Sequence, residues 1–226
     1  FGDGNNNMAV ASGDCQKVIV LGTASGGQGD QAVMWTSTNG GGSYAQQAPP
    51  QEGMMAFWLD VWMVSADVGF IAGLDFGAVG LRQTTNGGGS WQKVESAAGS
   101  MQYSGLFFLP DGLHGWVLGD SGTLYYTADQ SSWQTAAYDG GEASMTSVYF
   151  ANAMEGWMAG GKSERDEDTG AVTLFNEGTV LHTTDGGKTW DTIISGQPYD
   201  YSAIWFPTPA LGFLAGWDKA GAYLFR

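Results

Sequence analysis

The chain is patterned as short runs of alternating apolar and polar residues, separated by turn residues. The pattern is clearest in one stretch, which has four such runs, at residues 147–150, 156–160, 178–183 and 190–194. Alternation over several residues indicates half-buried strands, and the Gly, Asn, Asp and Ser residues between the runs indicate turns. This stretch is therefore predicted to form an antiparallel meander of four strands.

The same order of runs recurs along the whole sequence. The matching runs lie at residues 18–22 and 32–36 in a less regular first unit, at 61–63, 69–73 and 79–82 in a second, at 105–108, 115–119 and 122–127 in a third, and at 204–206, 212–216 and 222–225 in a fifth. A unit repeated in this way predicts a repeat architecture with one small sheet per unit.

A short string lies between the third and fourth strands of most units. It reads Thr-Thr-Asp-Gly-Gly-Lys-Thr-Trp at residues 183–190, with copies at 84–91 and 37–44 and a copy one residue shorter at 127–133. A period of about 40 to 50 residues with four strands per unit is what β-propeller blades require. We therefore predict an all-β fold, a single propeller of four-stranded antiparallel blades.

Five blades fill the sequence, with approximate limits of 1–48, 49–95, 96–137, 138–194 and 195–226. The fifth unit ends after its third strand, and residues 8–11 could either begin blade one or complete blade five. The alternative is a fragment of a six- or seven-bladed propeller.

Each part of the string has a structural purpose. Asp or Asn can cap its own loop by accepting backbone N–H groups, glycine supplies positive φ, and the aromatic residue starts the next strand against the blade. The residues assigned to these roles are Asn39, Asn86, Trp91, Asp129, Trp133, Asp185, Gly186, Gly187 and Trp190.

With these residues in view, the string resembles the Asp-box, or BNR repeat, of sialidases and related propellers. The longer phrase, in which Gly-Trp-x-x-Gly precedes Thr-x-Asp-Gly-Gly-x-Thr-Trp, resembles the photosystem II stability and assembly factor-like propellers, and residues 147–194 carry it best. The resemblance implies a non-catalytic propeller that docks other proteins, is exported across a membrane and has seven blades. Five units and few arginines depart from the photosynthetic members and argue against a photosynthetic role.

Charge and composition exclude several functions. A formal net charge of −15 disfavours nucleic acid as a partner, and no apolar run is long enough for a transmembrane segment. The three arginines, Arg82, Arg165 and Arg226, are too scattered for the arginine cluster of a sialidase. With two His and one Cys, an ordinary zinc site is excluded as well. The single cysteine, Cys15, is predicted to be a small buried residue. We expect no enzyme activity and no cofactor.

An acidic insertion at residues 161–177 interrupts the period of the repeat. Its acids Asp166, Asp168 and Glu177 have part of the spacing of a calcium loop, but Gly170 and Ala171 occupy positions where such a loop has a ligand and a glycine. We keep a weak calcium site as a candidate beside a solvated acidic loop.

Strand parity places the candidate binding residues on one face. In a four-stranded meander the loops joining strands two and three open on the same side as the loops between blades. The candidates on this face are Asp75, Phe76, Asp120, Asp166, Asp168, Tyr199, Trp217 and Asp218. Turns attract Asp in any case, so incidental acidity remains the competing interpretation.

The tryptophans divide by their position in the repeat. Core positions are predicted for Trp35, Trp62, Trp91, Trp116, Trp133, Trp157, Trp190 and Trp205, leaving Trp58 and Trp217 free for contact.

The function expected from these observations is that of a protein-binding or structural module, acting through a protein partner or self-assembly. The low Lys content, the abundant Gly, Ser, Thr, Trp and Asn, and a start at Phe1 suit a secreted, periplasmic or cell-surface protein or a piece of a longer chain. The alternative function is a glycan-binding lectin or a glycoside hydrolase that uses carboxylates of the acidic face.

Overall fold

The structure is a computed structural model that describes residues 5–12, 15–26, 29–52, 55–100, 102–165, 172–208 and 211–226. The chain divides into two compact units. The first comprises Phe1–Asp120 with Thr127–Gln134, and the second comprises Ser121–Tyr126 with Thr135–Arg226.

Nineteen strands of the described residues form five antiparallel sheets. Sheet one contains β1 (Asn5–Ser12), β2 (Val18–Gly26), β3 (Gly29–Ser37) and β4 (Ala45–Gln47); sheet two contains β5 (Ala56–Met63), β6 (Gly69–Asp75), β7 (Leu81–Thr84) and β8 (Gln92–Lys93); sheet three contains β9 (Tyr103–Phe108), β10 (Gly115–Gly119), β11 (Thr123–Thr127) and β12 (Trp133–Ala137). Sheet four contains β13 (Ser144–Phe150), β14 (Gly156–Arg165), β15 (Val172–Thr183) and β16 (Asp191–Gln197), and sheet five contains β17 (Asp200–Thr208), β18 (Leu211–Asp218) and β19 (Gly221–Phe225). A 3-10 turn spans Glu95–Ala97.

In every sheet the strands are hydrogen-bonded in chain order, which confirms the predicted meanders. The pairing also settles the two readings of residues 8–11, because β1 pairs with β2 and so begins the first sheet. Sheet five consequently has three strands in the structure, and β19 is its edge strand.

A β-bulge recurs in the first strand of the later sheets. In β13 the register shifts between Met145 and Ser147, and in β17 it shifts between Tyr201 and Ala203. The bulge brings the backbone of the first strand close to the glycine at the end of the repeated second-strand motif. A Cβ on Gly160 would lie 2.0 Å from the carbonyl oxygen of Ser144, so only glycine fits there.

Within the first unit the sheets pack face to face through apolar residues. Ile19, Leu21 and Met34 of sheet one form a core cluster with Trp58 and Val61 of sheet two. Each such side chain that is fully buried contributes about 1.5–3 kcal/mol of transfer free energy.

Sheet two in turn contacts the first strand of sheet three through aromatic rings. The rings of Phe70 and Phe108 stack with centroids 4.6 Å apart, and Trp62 lies 5.1 Å from Phe107.

The second unit repeats this arrangement between sheets four and five. Trp157 of β14 stacks on Phe206 of β17, with ring centroids 4.1 Å apart. The hydroxyl of Tyr149 donates to the carbonyl oxygen of Phe206 at 2.6 Å, and Val180 packs with Ile204.

A polar contact accompanies these rings at one repeat position. The side chain of Ser147 accepts the backbone N–H of Ile204 at 3.1 Å, and Asp60 accepts the N–H of Leu106 at 2.8 Å. The two acceptors are equivalent, because each follows the bulge and pairs with an alanine of the second strand. The first strand of one sheet therefore hydrogen-bonds to a side chain of the sheet before it.

The repeated string forms the predicted capped turn. Asp185 accepts the backbone N–H groups of Lys188 and Thr189 at 3.0 and 2.9 Å and the hydroxyl of Thr189 at 2.7 Å. Asn86 accepts the N–H of Ser90 in the same way, while its amide nitrogen donates to the hydroxyl of Ser90. The first two glycines of the strings have positive φ, as predicted, with values of 82° and 93° at Gly186 and Gly187.

Each turn is also tied to the loop between strands one and two of its own sheet. The backbone N–H groups of Gly40, Gly87 and Gly186 donate to carbonyl oxygens of that loop at 2.7–2.8 Å. In the shorter third string Gln130 holds the glycine position with φ of 66°, and its side-chain amide bonds to the carbonyl oxygen of Gly112. The end of each sheet that carries the turns is therefore consolidated by its own loops.

Two tryptophan predictions and the cysteine prediction are wrong. Trp58 is fully buried, because the bulge in β5 directs it to the same side as Val61, and its indole N–H donates to the carbonyl oxygen of Pro50 at 3.0 Å. Trp205 is exposed because it lies on the side of β17 that faces away from sheet four. Cys15 is exposed in a tight turn with φ of 59°.

The buried carboxyl of Asp60 should make stability depend on pH. Desolvation raises its pKa to about 6, although the N–H groups of Leu106 and Val61 favour the charged form. The folded state then holds the proton more tightly than the unfolded chain, so stability falls as pH rises from about 4 to about 7. Relative to Asp60→Asn, the wild type should lose on the order of 1–3 kcal/mol of unfolding free energy over this range. Urea denaturation at both pH values measures the difference, with exposed Asp67→Asn as the control, and parallel pH profiles would contradict it.

The turn capped by Asp185 can be tested by mutation, and the equivalent turns capped by asparagine indicate a control variant. Asp185→Ala removes the acceptor for four donors, namely the N–H groups of Lys188 and Thr189 and the hydroxyls of Thr183 and Thr189, and should cost about 1–2 kcal/mol of unfolding free energy. Asp185→Asn should stay close to wild type at neutral pH, since Asn39 and Asn86 cap the equivalent turns. Although desolvation opposes it, hydrogen bonds from Thr189, Thr183 and Lys188 lower the pKa of Asp185 to about 2. The advantage of Asp over Ala should therefore shrink as pH falls towards 2, and chemical denaturation of the three proteins would detect a different order.

Candidate functional site

One face of sheet five is an exposed apolar surface of the second unit. Alternation along β17, β18 and β19 places several apolar residues on this face, which we call the outer face: Ala203, Trp205, Phe213, Ala215, Trp217, Ala222 and Leu224. Trp205 is 55% exposed, Trp217 50% and Leu224 72%. A shallow cavity of about 370 Å³ lies between Trp205, Phe213 and Leu224.

The residue types of this face follow the repeat. Trp205 pairs with Phe213 as Tyr149 pairs with Trp157 one sheet earlier, and both of those sheet-four rings contact β17. Leu224 has the pairing of Val180, which is buried against sheet five. The outer face thus carries, at matching positions, the residue types that other sheets use to bind their neighbour.

Polar groups lie at the β18–β19 hairpin, on the opposite side of the sheet from the outer face. Asp218 caps the hairpin by accepting the N–H groups of Ala220 and Gly221 at 2.6 and 3.1 Å. Partial desolvation and a hydrogen bond from its hydroxyl to Asp218 raise the pKa of Tyr223. Tyr199 lies 5.5 Å from Tyr223 between ring centroids, in an aromatic group on the opposite side of the sheet from Leu224.

Asp75 and Phe76 lie in the first unit and behave differently from each other. Asp75 is buried and its carboxylate accepts the guanidinium of Arg82 at 2.5 Å and the backbone N–H of Glu52 at 3.2 Å. Arg82 is itself buried, with its second terminal nitrogen 2.8 Å from Glu52 and its guanidinium over the ring of Trp58. The carboxylate of Asp75 is therefore part of an internal ion pair.

Phe76 is 47% exposed at the turn between β6 and β7. It borders an open, mainly apolar cavity of about 530 Å³ together with Leu74, Val79 and Lys93. The amine of Lys93 lies 3.1 Å from Glu52 and 3.4 Å from Glu95, which raises its pKa. These acids already neutralise the cation at the cavity rim.

The remaining predicted site residues are dispersed. Asp120 lies between β10 and β11, and Glu177 lies within β15. Asp166 and Asp168 fall outside the described residues, so the calcium site stays a prediction. In the part of the chain that the structure describes, no group of three or more His, Cys, Asp or Glu is arranged to hold a metal ion, and no helix there is long and apolar enough to cross a membrane.

The structure thus places Tyr199, Trp217 and Asp218 at sheet five, with Tyr199 and Trp217 on opposite sides of it, and places Asp75, Phe76 and Asp120 in the first unit. Sequence reasoning missed Trp205 and Leu224. The signal was present in the alignment of the units, since the residues at the matching positions of sheet four, Tyr149 and Val180, contact β17.

Comparison with solved structures identifies the architecture. A structure described as YCF48 bound to D1 peptide aligns over 97% of this chain and 78% of its own, with 18% identity and a TM-score of 0.52. The GH74 xyloglucanase of Xanthomonas campestris aligns over 97% of this chain and 38% of its own, with 15% identity and a TM-score of 0.62. The C-terminal WD40 domain of Sif2 aligns over 96% and 68%, with 12% identity and a TM-score of 0.54.

The fold is a β-propeller. The five sheets are its blades, as the repeat predicted, and the resemblance to assembly-factor and sialidase-type propellers agrees with these neighbours. No protein-family model matches the sequence, and no curated protein matches it. At these identities the likeness concerns the fold, and function has to be argued from the blades themselves.

The ion pair within blade two should be structural. Asp75→Ala would leave the buried guanidinium of Arg82 with only the half-exposed Glu52, and should cost about 2–4 kcal/mol of unfolding free energy. Glu95→Ala, which removes an exposed partner of Lys93, should cost less than about 1 kcal/mol. Denaturant unfolding of both variants checks this, and equal effects would show that the Asp75–Arg82 pair adds nothing to stability.

Proposed function

We propose that this propeller is a non-catalytic, protein-binding module that docks its partner on the outer face of blade five. The observation that carries the proposal is the exposure of Trp205, Trp217 and Leu224 on one continuous face. Large apolar side chains grouped in this way mark interaction sites, and tryptophan is enriched among residues that dominate binding energy.

The chemistry of the face favours protein over glycan. Two exposed indoles could stack on sugar rings, but a sugar also needs donors and acceptors for its hydroxyls. The cavity between the indole of Trp205 and Leu224 is lined only by apolar side chains. The nearby acid, Asp218, is engaged in capping its own hairpin. Such a surface suits apolar side chains of a protein.

The acids argue for binding rather than hydrolysis. A glycosidase needs two carboxylates that flank one bond. Asp75 is held in an ion pair with Arg82, and Asp218 accepts two backbone N–H groups. The YCF48 structure, whose description includes a bound D1 peptide, supports the idea that a propeller of this type can receive a polypeptide.

Export to the cell surface, periplasm or medium is a further part of the proposal. It rests on the composition and on the resemblance to exported propellers. The net charge of −15 favours a neutral or basic partner over a second acidic copy. Self-assembly is the competing mode.

The test compares the binding partners that the wild-type protein and a variant of the outer face capture from the native source. The variant Trp205→Gln/Leu224→Lys should lose a stoichiometric partner that wild type retains, because both changes remove exposed apolar contact area. Met154→Lys is the matched control, since Met154 is 53% exposed in the loop between β13 and β14. Affinity purification with quantitative mass spectrometry compares the three proteins. A partner set that is identical in all three would reject docking through this face.

A further inference from the structure

We propose that Asp139 is a site of spontaneous isoaspartate formation, and that the repeated turns protect the Asn-Gly sequences of the chain from the same reaction. The reaction does not involve the outer face. It occurs at dipeptides in which Asp or Asn precedes glycine, and the described residues contain five of them: Asn39-Gly40, Asn86-Gly87, Asp111-Gly112, Asp139-Gly140 and Asp185-Gly186.

Such dipeptides rearrange through their own backbone. The amide nitrogen of the glycine attacks the side-chain carbonyl carbon of the preceding residue, and a succinimide ring forms with loss of ammonia from Asn or of water from Asp. Water then opens the ring at either carbonyl and gives aspartate or isoaspartate, so no oxidant or other reactant is needed. Glycine favours the reaction because it has no side chain to hinder ring closure. The attacking N–H gives up its proton, so a hydrogen bond that holds this N–H opposes the attack.

In four of the five dipeptides the glycine N–H is held by a backbone carbonyl oxygen. The acceptors for Gly40, Gly87, Gly112 and Gly186 are the carbonyl oxygens of Gln16, Asp67, Leu109 and Met154, at 2.7, 2.7, 2.9 and 2.8 Å. Gly87, Gly112 and Gly186 are also buried. The nucleophile of the reaction is therefore engaged at these four positions.

In the two turns capped by asparagine the side chain is held as well. Oδ1 of Asn86 accepts the N–H of Ser90 and the hydroxyl of Thr84, both at 2.9 Å, while its amide nitrogen donates to the hydroxyl of Ser90 at 2.9 Å. Asn39 makes the same three bonds in its own turn. The leaving amide and the glycine nitrogen are both fixed, so ring closure requires the turn to open first.

Gly140 is the exception. It lies in the loop between β12 and β13, and among the described residues no acceptor receives its N–H. The carboxyl of Asp139 accepts the N–H of Gly141 at 2.9 Å, which turns the carboxyl towards the backbone that follows it. Asp139 is also exposed, so water can reach the ring. Attack by the nitrogen of Gly140 therefore does not require a hydrogen bond of its N–H to break.

The product would have different consequences at the two kinds of position. In isoaspartate the main chain runs through the former side chain, so at Asn86 the acceptor that caps the turn would be lost. The loop that contains Asp139 has no such cap to lose apart from the single bond to Gly141. The hydrogen bonds that cap the turns thus also slow the reaction that would remove the cap.

The variant Asp139→Asn allows a direct comparison, because it gives one chain three Asn-Gly dipeptides of identical chemistry. The full-length variant is incubated in a mildly alkaline buffer, and peptide mapping by mass spectrometry follows deamidation at each site. Position 139 should deamidate about 5–30 times faster than Asn39 or Asn86, the factor that corresponds to opening one hydrogen-bonded turn. In concentrated urea the three rates should become similar, since the unfolded chain holds none of the N–H groups.

The variant Ser90→Ala separates local opening of a turn from global unfolding. It removes the hydroxyl that holds the amide of Asn86, and should speed deamidation there about two- to tenfold while Asn39 in the same molecule is unchanged. An equal rise at both sites would show that the reaction proceeds from the unfolded chain, and would overturn protection by the turns.

The natural residue is tested in the wild-type protein at mildly acidic pH, because Asp reacts through its neutral carboxyl. Isoaspartate, detected by enzymatic methylation and located by electron-transfer fragmentation, should accumulate at Asp139 faster than at Asp111 or Asp185, which belong to the same kind of dipeptide. Equal rates at these three positions would overturn the assignment of Asp139. Deamidation of the Asp139→Asn variant at position 139 that is no faster than at Asn86 would overturn it as well.

Discussion

The interaction on which the structure depends is the contact between a second-strand aromatic of one blade and the first strand of the next. Phe70 on Phe108 and Trp157 on Phe206 are two instances of it, with stacked rings at 4.6 and 4.1 Å. A single four-stranded meander has two faces and cannot bury either alone, so stability comes from this repeated face-to-face contact. The same residue types recur on the outer face, at positions that in sheet four contact β17.

The polar groups of the chain serve this packing at fixed positions. The capped turn closes the hairpin of strands three and four, and its glycine N–H ties it to the loop between strands one and two. At the blade contact, Ser147 and Asp60 accept a backbone N–H that the bulge of the next first strand would otherwise bury unpaired. The need for an acceptor is met here by a hydroxyl or a carboxyl of the preceding blade, whereas sheet one has Ala9 at this position and the N–H of Val61 bonds to Asp60 of its own strand at 2.8 Å. Asp60 meets it at the cost of a raised pKa, which a hydroxyl avoids.

Sequence reasoning predicted the parts of the fold that depend on local pattern. The blades, the turn between strands three and four, and the capping by Asp185 and Asn86 follow from periodicity and turn chemistry within a few residues. It failed where one residue of register decides the outcome. The bulge in β5 turns Trp58 inward. No residue of β5 itself indicates that the bulge is there; the glycine of the second strand is the residue that does. The pairing of Asp75 with Arg82 was likewise hidden, because cross-strand partners seven residues apart depend on the hairpin register.

Trp205 shows why a repeat predicts function badly when its positions are read as equivalent. Its counterparts Tyr149 and Trp62 contact the following blade, and pattern alone assigns Trp205 to the core with them. Whether the position is buried depends on what stands next to it, which the sequence of the unit does not encode. The apolar character of the outer face is inherited from the fold, and Ala203 matches Ala9, which has this position in sheet one.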